Sequence, residues 1–285
     1  MTEQPRRIMA VLAHPDDESF GMGGTLAYYA DQGVEVYYVC ATRGEAGEVD
    51  PVYLNGYKSI AELRTAELSC AANHLGIKEV FYLNYRDSGM PGSESIKHPE
   101  ALANQPVEEV AGKVVQYLRK YKPDVVLTFD PVGGYHHPDH IAIQRATLMA
   151  YEAAGDESQF PGEHPAFQPT KLYYHVFPRK VLRTIVRIMQ FFGKDPSKFG
   201  QNGDIDLVKM AGDKDYPQHV KINFGPYAKN KEDASQCHAS QVSGGGGFGS
   251  FLWTLFRKFS RINQDSFMQA LPEVPENYRQ KDLFA

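Results

Sequence analysis

Two short segments concentrate side chains that can hold a metal ion and move protons. They are Ala13-His14-Pro15-Asp16-Asp17-Glu18 near the start of the chain and His136-His137-Pro138-Asp139-His140 near its middle. Neutral imidazole and carboxylate suit a borderline divalent ion, and a catalytic zinc site takes three protein ligands and leaves a position for water. His14, Asp17 and His140 can supply that set, which also suits iron(II) or another divalent metal. Asp16 and Asp17 are adjacent, so their side chains leave the turn in different directions; one can ligate while the other acts as general base toward a water near the metal. In the second segment proline suits the first helical position, which puts His137 at the N-cap and His140 in the first turn. Three residues apart, the two histidines share a helix face, one for the metal and one for the same pocket. Either segment alone reads more simply as capping or surface residues. Their common place in the fold reverses that balance.

That place follows from the elements before them. Ile8-Met9-Ala10-Val11-Leu12-Ala13 and Asp124-Val125-Val126-Leu127-Thr128-Phe129 are apolar runs of strand length bounded by polar, turn-forming residues. Strand-like stretches at 8–13, 34–41, 79–83, 124–129 and 172–176 alternate with helical ones at about 17–32, 59–75, 106–121 and 140–154. This is the pattern of an α/β, Rossmann-like doubly wound fold: a mainly parallel sheet with helices on both faces. The helix over 59–75 carries an apolar stripe through Ile60, Leu63, Leu68, Ala71 and Leu75 and stops at Gly76. If the strand order is 3-2-1-4-5, strands one and four are neighbours and the switch-point crevice opens between their carboxyl ends. Two motifs more than a hundred residues apart then meet in one site.

Residues 1–176 form the expected catalytic core, and 177–285 an extension that packs on it and shapes the pocket, within one domain overall. In the extension, residues 179–192 read as a basic amphipathic helix and 193–218 as an irregular, Gly-, Pro- and Asp-rich excursion. His219 to Phe224 is a candidate late strand, expected to be antiparallel. Gly244 to Gly247 precede an aromatic segment from Phe248 to Phe259 that the glycines would let move.

Composition bounds the partners. A net charge of −5 over 285 residues offers no basic footprint for nucleic acid. Cys40, Cys70 and Cys237 are odd in number and far apart, suggesting neither a disulfide framework nor a cysteine-based zinc site, and a reducing, cytoplasmic setting is expected. No stretch approaches the ~20 apolar residues of a spanning helix, so no integral membrane segment is expected. The amphipathic segments 179–192 and 248–262 would suit a membrane surface, although core packing or a homo-oligomer interface explains such stripes more often. Gly21, Gly23 and Gly24 raise a dinucleotide site, but that fingerprint needs its glycines directly after the strand. Here the turn carries Asp16, Asp17 and Glu18, which would repel phosphate. The glycines instead suit close helix packing or substrate approach.

Ala13-His14-Pro15-Asp16-Asp17-Glu18, Gly21-Met22-Gly23-Gly24-Thr25-Leu26, Thr42-Arg43-Gly44-Glu45 and His137-Pro138-Asp139-His140 together resemble the PIG-L/LmbE-like de-N-acetylase superfamily, over about residues 8–176. Arg86-Asp87-Ser88-Gly89-Met90, Lys171-Leu172-Tyr173-Tyr174 and Cys237-His238-Ala239-Ser240-Gln241 are similar to the branch of the mycothiol deacetylases and mycothiol S-conjugate amidases, more weakly and to about residue 241. The resemblance implies zinc on His14, Asp17 and His140, with Asp16 as general base and then acid. It further implies His137 as oxyanion stabiliser oriented by Asp139, Tyr135 polarising the amide carbonyl, and Arg64, Asp87 and His238 near the substrate. The implied activity is removal of an N-acetyl group from a glucosamine-containing small molecule. An amidase acting on a glucosaminyl thiol S-conjugate is the alternative with the same machinery, and a noncatalytic sugar- or nucleotide-binding module the distant one.

Overall fold

A computed structural model of the chain describes residues 5–199, 205–242 and 263–285. Within them one seven-stranded sheet has the order β3-β2-β1-β4-β5-β7-β6. The parallel strands are β1 (Arg7–Leu12), β2 (Glu35–Cys40), β3 (Glu79–Tyr82), β4 (Val125–Phe129) and β5 (Lys171–His175). Ile8 through Leu12 are wholly buried, as a central strand covered on both faces must be. On one face lie α1 (Gly23–Asp31), α2 (Ile60–Leu75) and the later α8 (Ala228–Cys237), which bury Leu26, Leu68, Leu75 and Ala234 against Ile8, Ala10 and Leu12. On the other, α3 (Val107–Tyr121) and α5 (Pro138–Ala153) bury Val114, Leu118, Ile143 and Ala150 against Met9 and Val11. Each valine, leucine or isoleucine among them contributes about 1.5–3 kcal/mol by leaving water.

The 3-2-1-4-5 order expected from the sequence is observed, and β6 (Val220–Asn223) is the anticipated late antiparallel strand. It pairs with β7 (Gln264–Leu271), which the sequence reading missed and which runs antiparallel to both β5 and β6. β7 hid because polar Asp265, Ser266 and Gln269 are themselves buried. Asp265 accepts hydrogen bonds from the Thr25 amide and hydroxyl and from Lys231, so a carboxylate occupies an interior strand position.

The expected separation of the cysteines is corrected: Cys70 of α2 and Cys237 of α8 form a disulfide across 167 residues, while Cys40 stays free and buried. The cysteine pattern therefore gives no ground for a reducing compartment. Among the described residues no helix is long and apolar enough to cross a membrane. Helix α6 (Arg179–Phe191) forms as expected, and Leu182, Val186 and Met189 on it pack against Leu207 and Ala211 of α7 (Leu207–Gly212), a helix inside the stretch expected to be irregular. That apolar stripe is spent on internal packing, leaving Phe191 and Phe192 exposed. Residues 200–204 and the glycine-rich aromatic segment 244–262 lie outside the described residues.

Of the early glycines, Gly24 serves packing. A Cβ there would stand 2.2 Å from the Phe224 ring, so only glycine lets α1 lie this close to the chain after β6. Gly21 instead borders the cavity described next, facing His175.

Candidate active site

The turn after β1 and the loop after β4 meet above the carboxyl ends of the two adjacent strands. A single π-helical turn, Glu18–Met22, leads from the first motif into α1; such turns recur at functional sites. In the second motif a distorted turn, α4 (Gly133–His136), precedes α5. Gly133 has φ +65, and a Cβ on it would press within 2.9 Å of the His140 Cβ. The loop is held by Asp130, which accepts from the Gly134 amide and pairs with buried Arg179. Pro138 opens α5, and the N-cap His137 accepts the Asp139 amide on Nδ1.

These supports bring His14, Asp17 and His140 together, as the spacing predicted. Asp17 Oδ2 lies 3.6 Å from His14 Nδ1, Asp17 Oδ1 lies 3.2 Å from His140 Nε2, and the two imidazole nitrogens are 3.3 Å apart. Bonds of about 2.0–2.2 Å to a tetrahedral ion require donor separations of about 3.3–3.6 Å; the His14–His140 separation meets this range, and the Asp17 carboxylate approaches each imidazole at a similar distance through a different oxygen. The charge balance agrees. Asp16, Asp17, Glu18, Asp87 and Asp139 crowd the site, faced by the Arg64 cation and the His238 imidazole. Burial opposes charge on His14, but Asp87, Asp139 and Asp17 more than reverse it and raise its pKa well above the ordinary value. A field that favours an imidazolium favours a metal cation at the same place. Burial likewise opposes ionisation of Asp17, yet His140 and His14 hold its carboxyl well below the usual range. The His140 ring stacks on Phe129 at 3.9 Å, which fixes its plane.

Asp16 takes a different partner from Asp17, as expected of the adjacent pair: its Oδ2 accepts from Arg64 at 2.8 Å. Its φ of +122 is far from ordinary for a side chain with a Cβ, a conformation costing about 1–3 kcal/mol that persists only when its surroundings impose it. Burial, offset by Arg64 and reinforced by Asp17, lifts the Asp16 carboxyl to about 6, a value suited to a general base near neutral pH. His137 is held neutral: burial, then His14 and His140, push its pKa well down. With Nδ1 accepting a backbone N–H, its single proton is on Nε2. It offers a nitrogen within 4.8 Å of those of His14 and His140, so the three imidazoles converge on one point and could together hold an ion.

Asp139 behaves otherwise than the sequence reading expected. Its carboxylate does not orient His137, which receives only the Asp139 backbone N–H. Asp139 Oδ2 instead accepts from His14 Nε2 at 3.1 Å and from the Ser88 amide at 2.9 Å, and Oδ1 accepts from the Ser88 hydroxyl. This is a carboxylate behind a metal-facing histidine, the arrangement that fixes tautomer and ring orientation. The reason is positional: the side chain at the second residue of α5 points down toward the β1 turn, away from the N-cap ring.

His14, Asp16, Asp17, Asp87, Arg64, Tyr135, His137 and His140 all line one cavity of about 600 Å³. The Tyr135 ring stands edge-on to His140 at 5.0 Å. Asp87 accepts from the Gly89 and Ala46 amides and lies 3.4 Å from His14 Nε2, so it is engaged with the protein as well as facing the cavity. Arg64 is buried and donates to the Pro15 and Gly44 carbonyls and to Asp16 Oδ2 at 2.8 Å, which makes it a partner of Asp16 first. His238 does not line the cavity; it is wholly buried against Glu18 at 2.7 Å. Sequence reasoning assigned no part to Ser88, Glu18, Phe129 or His175, although Glu18 and Ser88 stood inside the quoted motifs. His175, at the end of β5 where ligands gather in such sheets, lines the cavity as well.

Residues 9–151 match the family model described as PIG-L, GlcNAc-PI de-N-acetylase. A 1D-myo-inositol 2-acetamido-2-deoxy-alpha-D-glucopyranoside deacetylase from Thermobifida fusca is 37% identical over 247 residues, covering 84% of each chain. One of the same name from Streptomyces griseus is 32% identical over 98% of this chain and 88% of its own. Among solved structures, an N,N'-diacetylchitobiose deacetylase from Pyrococcus horikoshii shares the fold with a TM-score of 0.63 at 22% identity, over 93% of this chain and 83% of that one.

Proposed function

We propose that this chain, which belongs to the PIG-L family of GlcNAc-PI de-N-acetylases, removes the N-acetyl group from an N-acetylglucosaminyl conjugate with zinc as cofactor. The substrate class is that named for the relatives, an inositol glycoside of N-acetylglucosamine. The observation that carries the reading is a strained, Arg64-bound Asp16 beside the His14–Asp17–His140 triangle on the floor of a sugar-sized cavity.

Zinc held by His14, Asp17 and His140 would supply a Lewis acid that makes water nucleophilic near neutral pH. Asp16 accepts the proton as the water attacks the acetyl carbon, and Arg64 keeps its carboxylate turned to the reacting centre. The His137 Nε2–H donates to the carbonyl oxygen as negative charge develops there, with the Tyr135 side chain on the same wall. Loss of one such preorganised donor typically costs about 10²- to 10³-fold in rate. Asp16 then returns the proton to the departing nitrogen, so acetate and the free amine form in equal amounts. Asp139 and Ser88 keep His14 in place throughout. The 600 Å³ cavity accommodates the sugar and part of its aglycone, within the usual range of small-molecule sites.

The test is amine and acetate release from a panel of N-acetylglucosaminyl conjugates by zinc-loaded protein, with the inositol glycoside and a thiol S-conjugate both included. Preferential deacetylation of an N-acetylglucosaminide supports the reading; preferential cleavage of the S-conjugate amide would select the amidase alternative. Absence of amine release from every conjugate would defeat both.

A further inference from the structure

The most deeply buried charged pair near the site has no part in the chemistry above. Glu18 and His238 are each 0% exposed, lie 220 residues apart, and meet with His238 Nε2 at 2.7 Å from Glu18 Oε1. A buried carboxylate is costly to desolvate and persists only where donors meet its oxygens. Glu18 has them. Its Oε1 also accepts the Ser19 hydroxyl at 2.6 Å, and its Oε2 accepts the Asp16 backbone N–H at 3.0 Å. That amide belongs to the residue whose φ of +122 requires an external constraint. Asp16, whose carbonyl already accepts the Ser19 and Phe20 amides, is held by two further grips: Arg64 on the carboxylate and Glu18 on the backbone amide.

The segment that delivers His238 is pinned on both sides of it to α2. Cys237 is bonded to Cys70, and Ser240 donates its amide to Glu67 Oε1 and its hydroxyl to Glu67 Oε2, each at 2.8 Å. Glu67 and Cys70 sit one turn apart on α2, and Arg64, the other grip, lies one turn before Glu67. One helix thus sets both constraints on Asp16, one directly and one through the 237–240 strap.

We propose that His238 is a positioning residue for Asp16: by pairing with Glu18 it fixes the carboxylate that receives the Asp16 amide, and so holds the base in the orientation from which it reaches the water. The inference rests on the de-N-acetylase reading. Its energetic logic is that Glu18 without His238 would be a buried carboxylate lacking its Nε2 donor, free to turn toward other donors and release the Asp16 amide. A pair serving only core stability would leave the chemical step untouched once the protein is folded.

The experiment uses the full-length, zinc-loaded chain and compares wild type, His238→Ala and His238→Gln, the last of which keeps an N–H donor. In His238→Ala, kcat is expected to fall at least tenfold with KM within twofold and zinc content unchanged, and a crystal structure should show the Asp16 φ relaxed to a negative value. His238→Gln should recover kcat to within about threefold of wild type. If the alanine variant does not fold, His238→Leu fills the space without donating and takes its place. A folded, donor-less variant with normal kcat, or one whose loss glutamine does not restore, overturns the positioning role. A wild-type protein that releases no amine would instead overturn the activity, and the Asp16 φ in the variant crystal would still decide the positioning.

Discussion

Asp139→Asn separates two assignments of one carboxylate. If Asp139 orients His137, the substitution leaves the metal bound and slows the chemical step. If it holds His14, as its 3.1 Å contact with His14 Nε2 indicates, the substitution weakens the metal. The asparagine oxygen can still accept from His14 and from the Ser88 amide, so at His14 what is lost is the charge on the acceptor; Nδ2 replaces the oxygen that accepts the Ser88 hydroxyl. A charge-assisted hydrogen bond is roughly twice as strong as a neutral one, whose net worth is about 1 kcal/mol. The expected loss is therefore about 1–1.5 kcal/mol, close to tenfold in zinc affinity. Asp87 Oδ1, 3.4 Å from the same nitrogen, can take over part of the interaction and keeps the figure at this lower end of the 10- to 100-fold typical for such partners. Asp139→Ala goes further, because it also orphans the buried Ser88 amide: about 100-fold in affinity and about 1–3 kcal/mol in stability. Zinc affinity is measured by competition with a chromophoric chelator, and kcat at saturating zinc. Wild-type affinity in Asp139→Asn, combined with a depressed kcat at full occupancy, would refute the assignment to His14 and restore the one to His137.

Asp16→Asn should retain zinc yet lose about 10²- to 10⁴-fold in kcat, since the amide keeps the shape but cannot accept the proton; loss of zinc here with retention in Asp17→Asn would exchange the two roles. His137→Ala is expected to lower kcat by about 10²- to 10³-fold with KM little changed and metal content intact, whereas a normal kcat with a raised KM would pass the oxyanion to the metal and Tyr135. Burial, against Asp265 and with Lys231, holds His175 neutral down to about pH 4. The unfolded chain, with a histidine pKa near 6.5, then binds more protons than the folded one between about pH 6.5 and 4, so stability falls by up to about 3 kcal/mol as pH drops through that window. Denaturant titrations should show a flatter decline in His175→Gln, and identical pH profiles would exclude the histidine as the source.

What could be read from the sequence follows from the physics of each feature. The parallel strands were accessible because strands buried on both faces must be continuous apolar runs, and Met9 through Leu12 and Val125 through Leu127 are; their order entered only as the doubly wound pattern that such alternation adopts. The grouping of His14, Asp17 and His140 was accessible because histidine and aspartate, both able to ligate a metal, stood at the ends of two such runs. The interior polar residues left no comparable trace. Asp265 breaks the apolar alternation that would have marked β7, yet it occupies the core because Thr25 and Lys231 supply its hydrogen bonds. Asp139 shows the same limit at the site itself. Choosing between His137 and His14 as its partner requires the relative placement of β1, the loop bearing Ser88 and the first turn of α5, and those three segments lie 51 to 125 residues apart. Neighbours in sequence favoured His137; the fold favours His14, because a buried carboxylate goes where the most donors converge. The same rule drew Glu18 to His238 across 220 residues, and it places the controls on Asp16 in parts of the chain that carry no catalytic group.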